Sequence, residues 1–133
     1  MTWSAVFVVF FVSHQFGDYL VQTEWQATHK RGGLSLHSPV ATKALLAHTR
    51  NYAISYVPAF IWISSRLGWE TLIVAAVVVI PHLIQDDGRG LRAYIVRVKG
   101  MDPDVNHTVA ALVDQALHMV ALLGAALLVS ALL

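Results

Sequence analysis

The chain has 133 residues, 56% of them apolar and only 13% charged, with a formal net charge of +1 and no cysteine. So short a soluble domain has a large relative surface, usually covered with roughly a quarter of charged residues; the composition points to a membrane protein and offers no case for nucleic-acid binding. The lack of cysteine removes disulfides, thiolate metal sites and cysteine nucleophiles together.

Four apolar stretches are long enough to cross a hydrocarbon core, which takes about 20 helical residues. They run over Trp3–Gln22, Ala44–Ser64, Leu67–Gln85 and Thr108–Leu132. The first has no basic leader and no small-residue cleavage pattern, and it carries His14 and Asp18, so it is expected to be retained as a helix. Ser38 followed by Pro39 has the form of an N-cap with proline at the first helical position, so the second helix should start ahead of its apolar part. Pro58 and Pro81 fall inside helices and should kink them.

The connections differ in length. A tight turn at Arg66-Leu67-Gly68 joins the second and third stretches, whereas 23–38 is polar and 86–107 is long and basic. Within the latter, Leu91, Tyr94, Ile95 and Val98 recur at helical spacing among Arg89, Arg92, Arg97 and Lys99, which predicts a short helix in the membrane interface. Lys30, Arg31, Lys43 and Arg50 share a side with these basic residues, and only Arg66 lies on the other. The excess of positive charge places the two long loops in the cytoplasm and both termini outside. The expected architecture is one all-α domain, residues 1–133: a four-helix bundle in the cell membrane. Trp3, Trp25, Trp62 and Trp69 near the helix ends fit an aromatic belt.

The chemistry begins with polar residues inside these helices. Helix one carries His14 and Asp18, helix two His48, helix three His82 and Asp86, and helix four Asp114 and His118. Residues four apart stack on one helix face, so each pair can aim at one target. His precedes Asp on the two helices that run inward and follows it on the fourth, which runs outward. The histidines therefore share one depth and the aspartates a second, nearer the cytoplasm. His14, His48, His82 and His118 also recur at nearly even intervals, as a duplicated helical hairpin would leave them.

A buried carboxylate near the centre of a membrane helix costs about 2.5–3.5 kcal/mol, and three need an offsetting partner. Imidazole and carboxylate suit zinc, iron or manganese, and seven ligands fit two ions sharing a carboxylate better than one. One or two divalent ions held by His14, Asp18, His48, His82, Asp86, Asp114 and His118 are the expected cofactor. Two other readings stay open: a metal-free hydrogen-bonded lock and a proton or ion path. Gln22, Gln85, Gln115 and Asn51 lie one turn from the cluster and either orient ligands or make ordinary helix–helix bonds. Gly17 allows close helix approach. His29, His37 and His107 fall in solvated loops, Asp87 is assigned to the interfacial loop, and Arg50 faces away from His48 towards the headgroups.

The run from His14 to Trp25, with Gly17, Asp18, Tyr19, Gln22 and Thr23 inside it, resembles the opening of a bacterial membrane family known as domain of unknown function 3307. His48, the His82/Asp86 pair and Asp114-Gln115 with His118 match that family too, while Asp87 stands where an aromatic commonly follows. The resemblance implies the fold and the site, since the family has no activity to carry over. A more distant likeness is to membrane-bound metal-dependent hydrolases.

Two functions follow as expectations. One is a metal-dependent hydrolase of a lipid headgroup or phosphoester at the cytoplasmic leaflet, with Asp18, Asp86 or Asp114 as general base and the basic loop attracting anionic lipid. The other is a metal or proton transporter, or an accessory subunit with a structural site; an oligomer could complete a path that one apolar protomer lacks.

Overall fold

The computed structural model describes residues 1–133, and every regular element in it is helical. Helix α1 (Trp3–Gln15) is capped by the Thr2 hydroxyl and passes into a π-helical segment, Phe16–Val21. Wider turns of this kind collect at functional positions because they re-aim side chains that α-helical spacing would fix. Asp18 lies in this one.

The first connection is more ordered than its polarity suggests. Thr23 and Gln26 form a reciprocal capping box that starts α2 (Glu24–His29), so this part of the expected loop is a helix. The chain then turns at Gly32, at φ 75°, and packs Gly33 against the next helix. A Cβ at Gly33 would stand 2.7 Å from the Ala41 carbonyl oxygen, so only glycine permits this approach.

The second span is not one kinked helix. Ser38 caps α3 (Pro39–Ser55), as its sequence predicts, but the helix stops at Tyr56 and α4 (Val57–Leu67) begins anew with Pro58 in its first turn. Proline lacks the N–H that an interior turn requires and tolerates a helix start, so here it initiates instead of bending. Gly68, at φ 59°, ends α4, and a single 3₁₀ turn, Gly68–Glu70, leads into α5 (Thr71–Asp86), which starts later than the Leu67 expected. Pro81 lies inside α5 without ending it. Beyond Gly88 come α6 (Arg89–Lys99), the helix expected in the third connection, and α7 (His107–Leu132).

Three stretches are long and apolar enough to cross a membrane: Trp3–Val21, Val57–Asp86 (α4 and α5 taken together) and His107–Leu132. Helix α1 packs on α7, α5 on α7 and α3, and α4 against α5. Their shared core holds Val6, Phe10, Ile63, Val74, Val78 and Leu122 at one end. At the other end, polar residues replace this apolar packing.

Candidate metal centre

Four helices deliver imidazoles to one buried spot. His14 on α1, His48 on α3, His82 on α5 and His118 on α7 are all at most 2% exposed. Their rings are contiguous: centroids lie 5.1 Å apart for His14 and His118, 5.1 Å for His48 and His82, and 4.8 Å for His82 and His118. The carboxylates of Asp86 and Asp18 enter the same spot.

The tightest grouping is His48, His82 and Asp86. The two Nε2 atoms are 3.0 Å apart, and Asp86 Oδ2 lies 2.6 Å from one and 3.1 Å from the other. Asp18 Oδ1 lies beside this grouping, 3.5 Å from His48 Nε2 and 3.6 Å from His82 Nε2. Ligands around a tetrahedral ion with bonds of about 2.0 Å are separated by roughly 3.3 Å. The observed separations bracket that value. A second grouping joins His14, Asp18 and His82, and Asp18 faces both, with Oδ1 towards His48 and His82 and Oδ2 3.6 Å from His14 Nε2. These buried His and Asp groups could hold a metal ion.

Hydrogen-bond direction fixes two ring nitrogens. Tyr56 has one hydroxyl proton and donates it to the Phe10 carbonyl at 2.9 Å, so Tyr52 must donate to Tyr56 at 2.8 Å. His14 Nδ1–H is then the donor to Tyr52, at 3.2 Å. Neutral His14 therefore carries its lone pair on Nε2, where two acceptor oxygens face it, Gln115 Oε1 at 3.0 Å and Asp18 Oδ2 at 3.6 Å. His118 Nδ1 donates to the Asp114 carbonyl at 2.9 Å, which leaves its Nε2 as a lone pair too. That Nε2 is buried without a partner, as is Asp18 Oδ1. Orphaned acceptors inside a protein cost roughly 1–3 kcal/mol each, a cost that a cation bound at the acceptor removes.

Asp114 does not join the others. Its carboxylate comes no nearer than 3.9 Å to His118 Nδ1 and is 25% exposed. The α-helical spacing that puts Asp114 and His118 on one face leaves the shorter side chain at the rim.

Of the four flanking amides, Gln115 touches a ligand. Gln85 donates to the Leu117 carbonyl at 3.2 Å, a plain helix–helix bond, and Asn51 meets the Arg50 guanidinium outside the cluster. Gln22 reaches the cluster through Lys30, whose Nζ lies 2.7 Å from Gln22 Oε1 and 2.9 Å from Asp86 Oδ2. His29, His37 and His107 are exposed.

Asp87 corrects its assignment to the loop surface. It is buried: its carboxylate accepts the Leu34 N–H at 2.8 Å, its carbonyl accepts the Gly32 N–H at 2.8 Å, and Arg89 pairs with it. It thereby fastens the first connection over the cluster, next to Asp86.

A family model described as protein of unknown function (DUF3307) matches residues 6–132. The chain belongs to this family. No curated protein and no solved structure matches it. In this DUF3307 chain, sequence reasoning missed two participants. Lys30 reads from the sequence as a cytoplasmic loop charge, whereas its side chain is only 14% exposed. Tyr52 stacks on His82 with centroids 3.4 Å apart and planes within 5°, besides orienting His14. Its position one turn from His48 on α3 was the available signal.

Proposed function

We propose that this protein is a four-span membrane metalloprotein whose His/Asp centre holds a divalent transition metal near the cytoplasmic face and serves metal-assisted hydrolysis of a lipid headgroup or phosphoester. The observation that carries the reading is the convergence of His48 Nε2, His82 Nε2 and Asp86 Oδ2 within 3.1 Å of one another, with Asp18 Oδ1 beside them. Such a set suits zinc, iron or manganese. His14 and His118 present lone pairs at the edge of the same centre, enough for a second ion. A metal here would lower the pKa of a bound water, and Asp114, nearest the surface, is the carboxylate free to take its proton.

In the proposed topology α1 with its π segment, α3 with α4, α5 and α7 cross the bilayer. The connections bearing Lys30, Arg31, Arg89, Arg92, Arg97 and Lys99 face the cytoplasm, with both termini outside. Helix α6 lies in the interface: Ile95 is buried against the bundle while Val96 and Val98 remain exposed to lipid.

Transport is the weaker reading. The hydrogen-bonded chain from His14 through Tyr52 and Tyr56 stops at the Phe10 carbonyl, and beyond it the core is apolar. A metal-free lock is favoured by one contact, the Lys30 ammonium on Asp86. Such a lock also needs one protonated imidazole, because Lys30 balances only one of the two carboxylates; His48, whose Nε2 lies 2.6 Å from Asp86 and 3.5 Å from Asp18, is placed to supply it.

Metal analysis of the purified protein tests the reading. One or two equivalents of metal in the wild type and a loss in His48→Ala and His82→Ala are expected; metal-free wild type after reconstitution with zinc, iron and manganese would sink it. Metal-loaded protein that turns over no lipid phosphoester would leave a structural site. Single cysteines in this cysteine-free chain test the topology: Lys43→Cys should label from the cytoplasm and Ser64→Cys from outside.

A further inference from the structure

Away from the metal centre, on the far side of the α1–α3 seam, an open groove of about 700 Å³ runs between α1 and the α3–α4 break. Val8, Val12, Phe16, Ile54, Pro58 and Trp62 line it. The two hydroxyls in its wall are already committed, Ser13 to the Val9 carbonyl at 3.0 Å and Ser55 to the Asn51 carbonyl at 3.0 Å. The groove therefore offers a ligand almost nothing but hydrocarbon contact. Gly17 separates it from the cluster, packed so closely that a Cβ would lie 2.9 Å from the Tyr52 ring.

One end of the groove is polar. Asn51 lines it there, and the Arg50 guanidinium sits on the Asn51 side-chain oxygen at 3.2 Å. Arg50 also borders a second concavity, along the outer face of α3, with Thr42, Lys43 and Leu46. The ion pairs of the chain's Lys and Arg residues are made by Lys30, Arg89 and Arg92. Lys43 and Arg50 have no carboxylate partner. An apolar trough thus meets a basic, uncompensated surface at one residue.

We infer that these two surfaces together bind one anionic phospholipid of the cytoplasmic leaflet, its acyl chain in the groove and its phosphate at Arg50 and Lys43. Dimensions agree with charge. From Arg50 to Trp62 the helices rise about 18 Å at 1.5 Å per residue, and one leaflet contributes roughly 15 Å of hydrocarbon. Counting about 20 residues inward from Leu67 at the outer boundary puts the cytoplasmic boundary at about Ala47, and Arg50 lies within one turn of it, close enough for its guanidinium to snorkel to the headgroups. A zwitterionic lipid would bring the same phosphate together with its own headgroup cation, which competes with Arg50 and Lys43 for it, whereas an anionic lipid leaves that charge to them. The inference rests on the four-span topology proposed above and is independent of the metal.

The test is native mass spectrometry of the full chain in detergent, titrated with phosphatidylglycerol and phosphatidylcholine of matched chains. Wild type should retain phosphatidylglycerol preferentially. Lys43→Gln and Arg50→Gln should each cut that preference about fivefold, the ratio equivalent to ~1 kcal/mol per basic side chain near the surface. Val12→Trp, which fills the trough, should weaken both lipids, and metal content should not change in any of the three. Equal retention of the two lipids by wild type, or an undiminished preference in the Lys43→Gln/Arg50→Gln double variant, overturns the inference. So does a lipid-free dimer with the groove closed between copies. Labelling of Ser64→Cys and Lys43→Cys from opposite sides separates failure of the lipid site from failure of the topology.

Discussion

His118 Nε2 faces Asp86 Oδ1 across 3.6 Å, lone pair against lone pair, because His118 has committed its Nδ1 proton to the Asp114 carbonyl. Two buried acceptors at that distance repel each other unless a proton or a metal ion lies between them. Asp86 is the residue this relationship turns on, since its other oxygen serves His48 and His82.

Asp86→Asn should therefore remove the metal altogether, not weaken it by degrees. The amide keeps the shape but presents half the acceptor capacity and none of the charge. Isothermal titration with zinc should show the wild-type site lost; a variant that binds zinc within threefold of wild type, a change of roughly 0.7 kcal/mol, would argue against Asp86 as a ligand.

Tyr52→Phe removes the hydroxyl that accepts His14 Nδ1–H and leaves the ring that stacks on His82. Losses of a hydrogen bond that orients a ligand commonly cost 10–100-fold in metal affinity. We expect a decrease in that range with the helical content unchanged. An unaltered zinc affinity would mean that His14 does not bind metal.

Lys30→Met distinguishes a metal centre from a metal-free lock. An ion about 2 Å from Asp86 Oδ2 would lie within about 5 Å of the Lys30 ammonium, a repulsion on the order of 7 kcal/mol at an effective dielectric near 20. If metal binds, Lys30 must move away, and its removal should strengthen zinc binding at least tenfold. If the cluster is a lock, Lys30→Met breaks a buried pair and should cost about 3–5 kcal/mol of stability. Zinc titration and detergent unfolding of the same sample read the two outcomes.

Gly17→Val should destabilise the bundle by about 1–3 kcal/mol, the usual cost of overpacking. The obstacle is the Tyr52 ring, 2.9 Å from the position of the new Cβ, so the seam between α1 and α3 has to open. Unfolding by denaturant in mild detergent would register the loss, and Gly124→Val, where a Cβ meets open space, serves as the control that should change little.

Much of this was legible in the chain. Apolar run lengths and the scarcity of charge determined an all-helical chain with stretches long and apolar enough to cross a membrane, because each long apolar run must satisfy its own backbone and hide few charges. The four-residue spacing of His14 and Asp18, and of His82 and Asp86, determined that each pair shares a helix face. Ser38-Pro39 announced the start of α3. These are local rules, and local rules act within a few turns.

Tertiary structure decided the rest. That Lys30 folds back onto Asp86, that Tyr52 rather than Asn51 attends the histidines, that Asp87 is a buried staple and that Asp114 stays at the rim all depend on how far and at what rotation separate helices approach. That approach is set by contacts between distant residues, such as Gly17 on Tyr52 and Gly33 on Ala41. Periodicity gives the face of a helix, but the atom that a side chain meets depends on the neighbour packed against it.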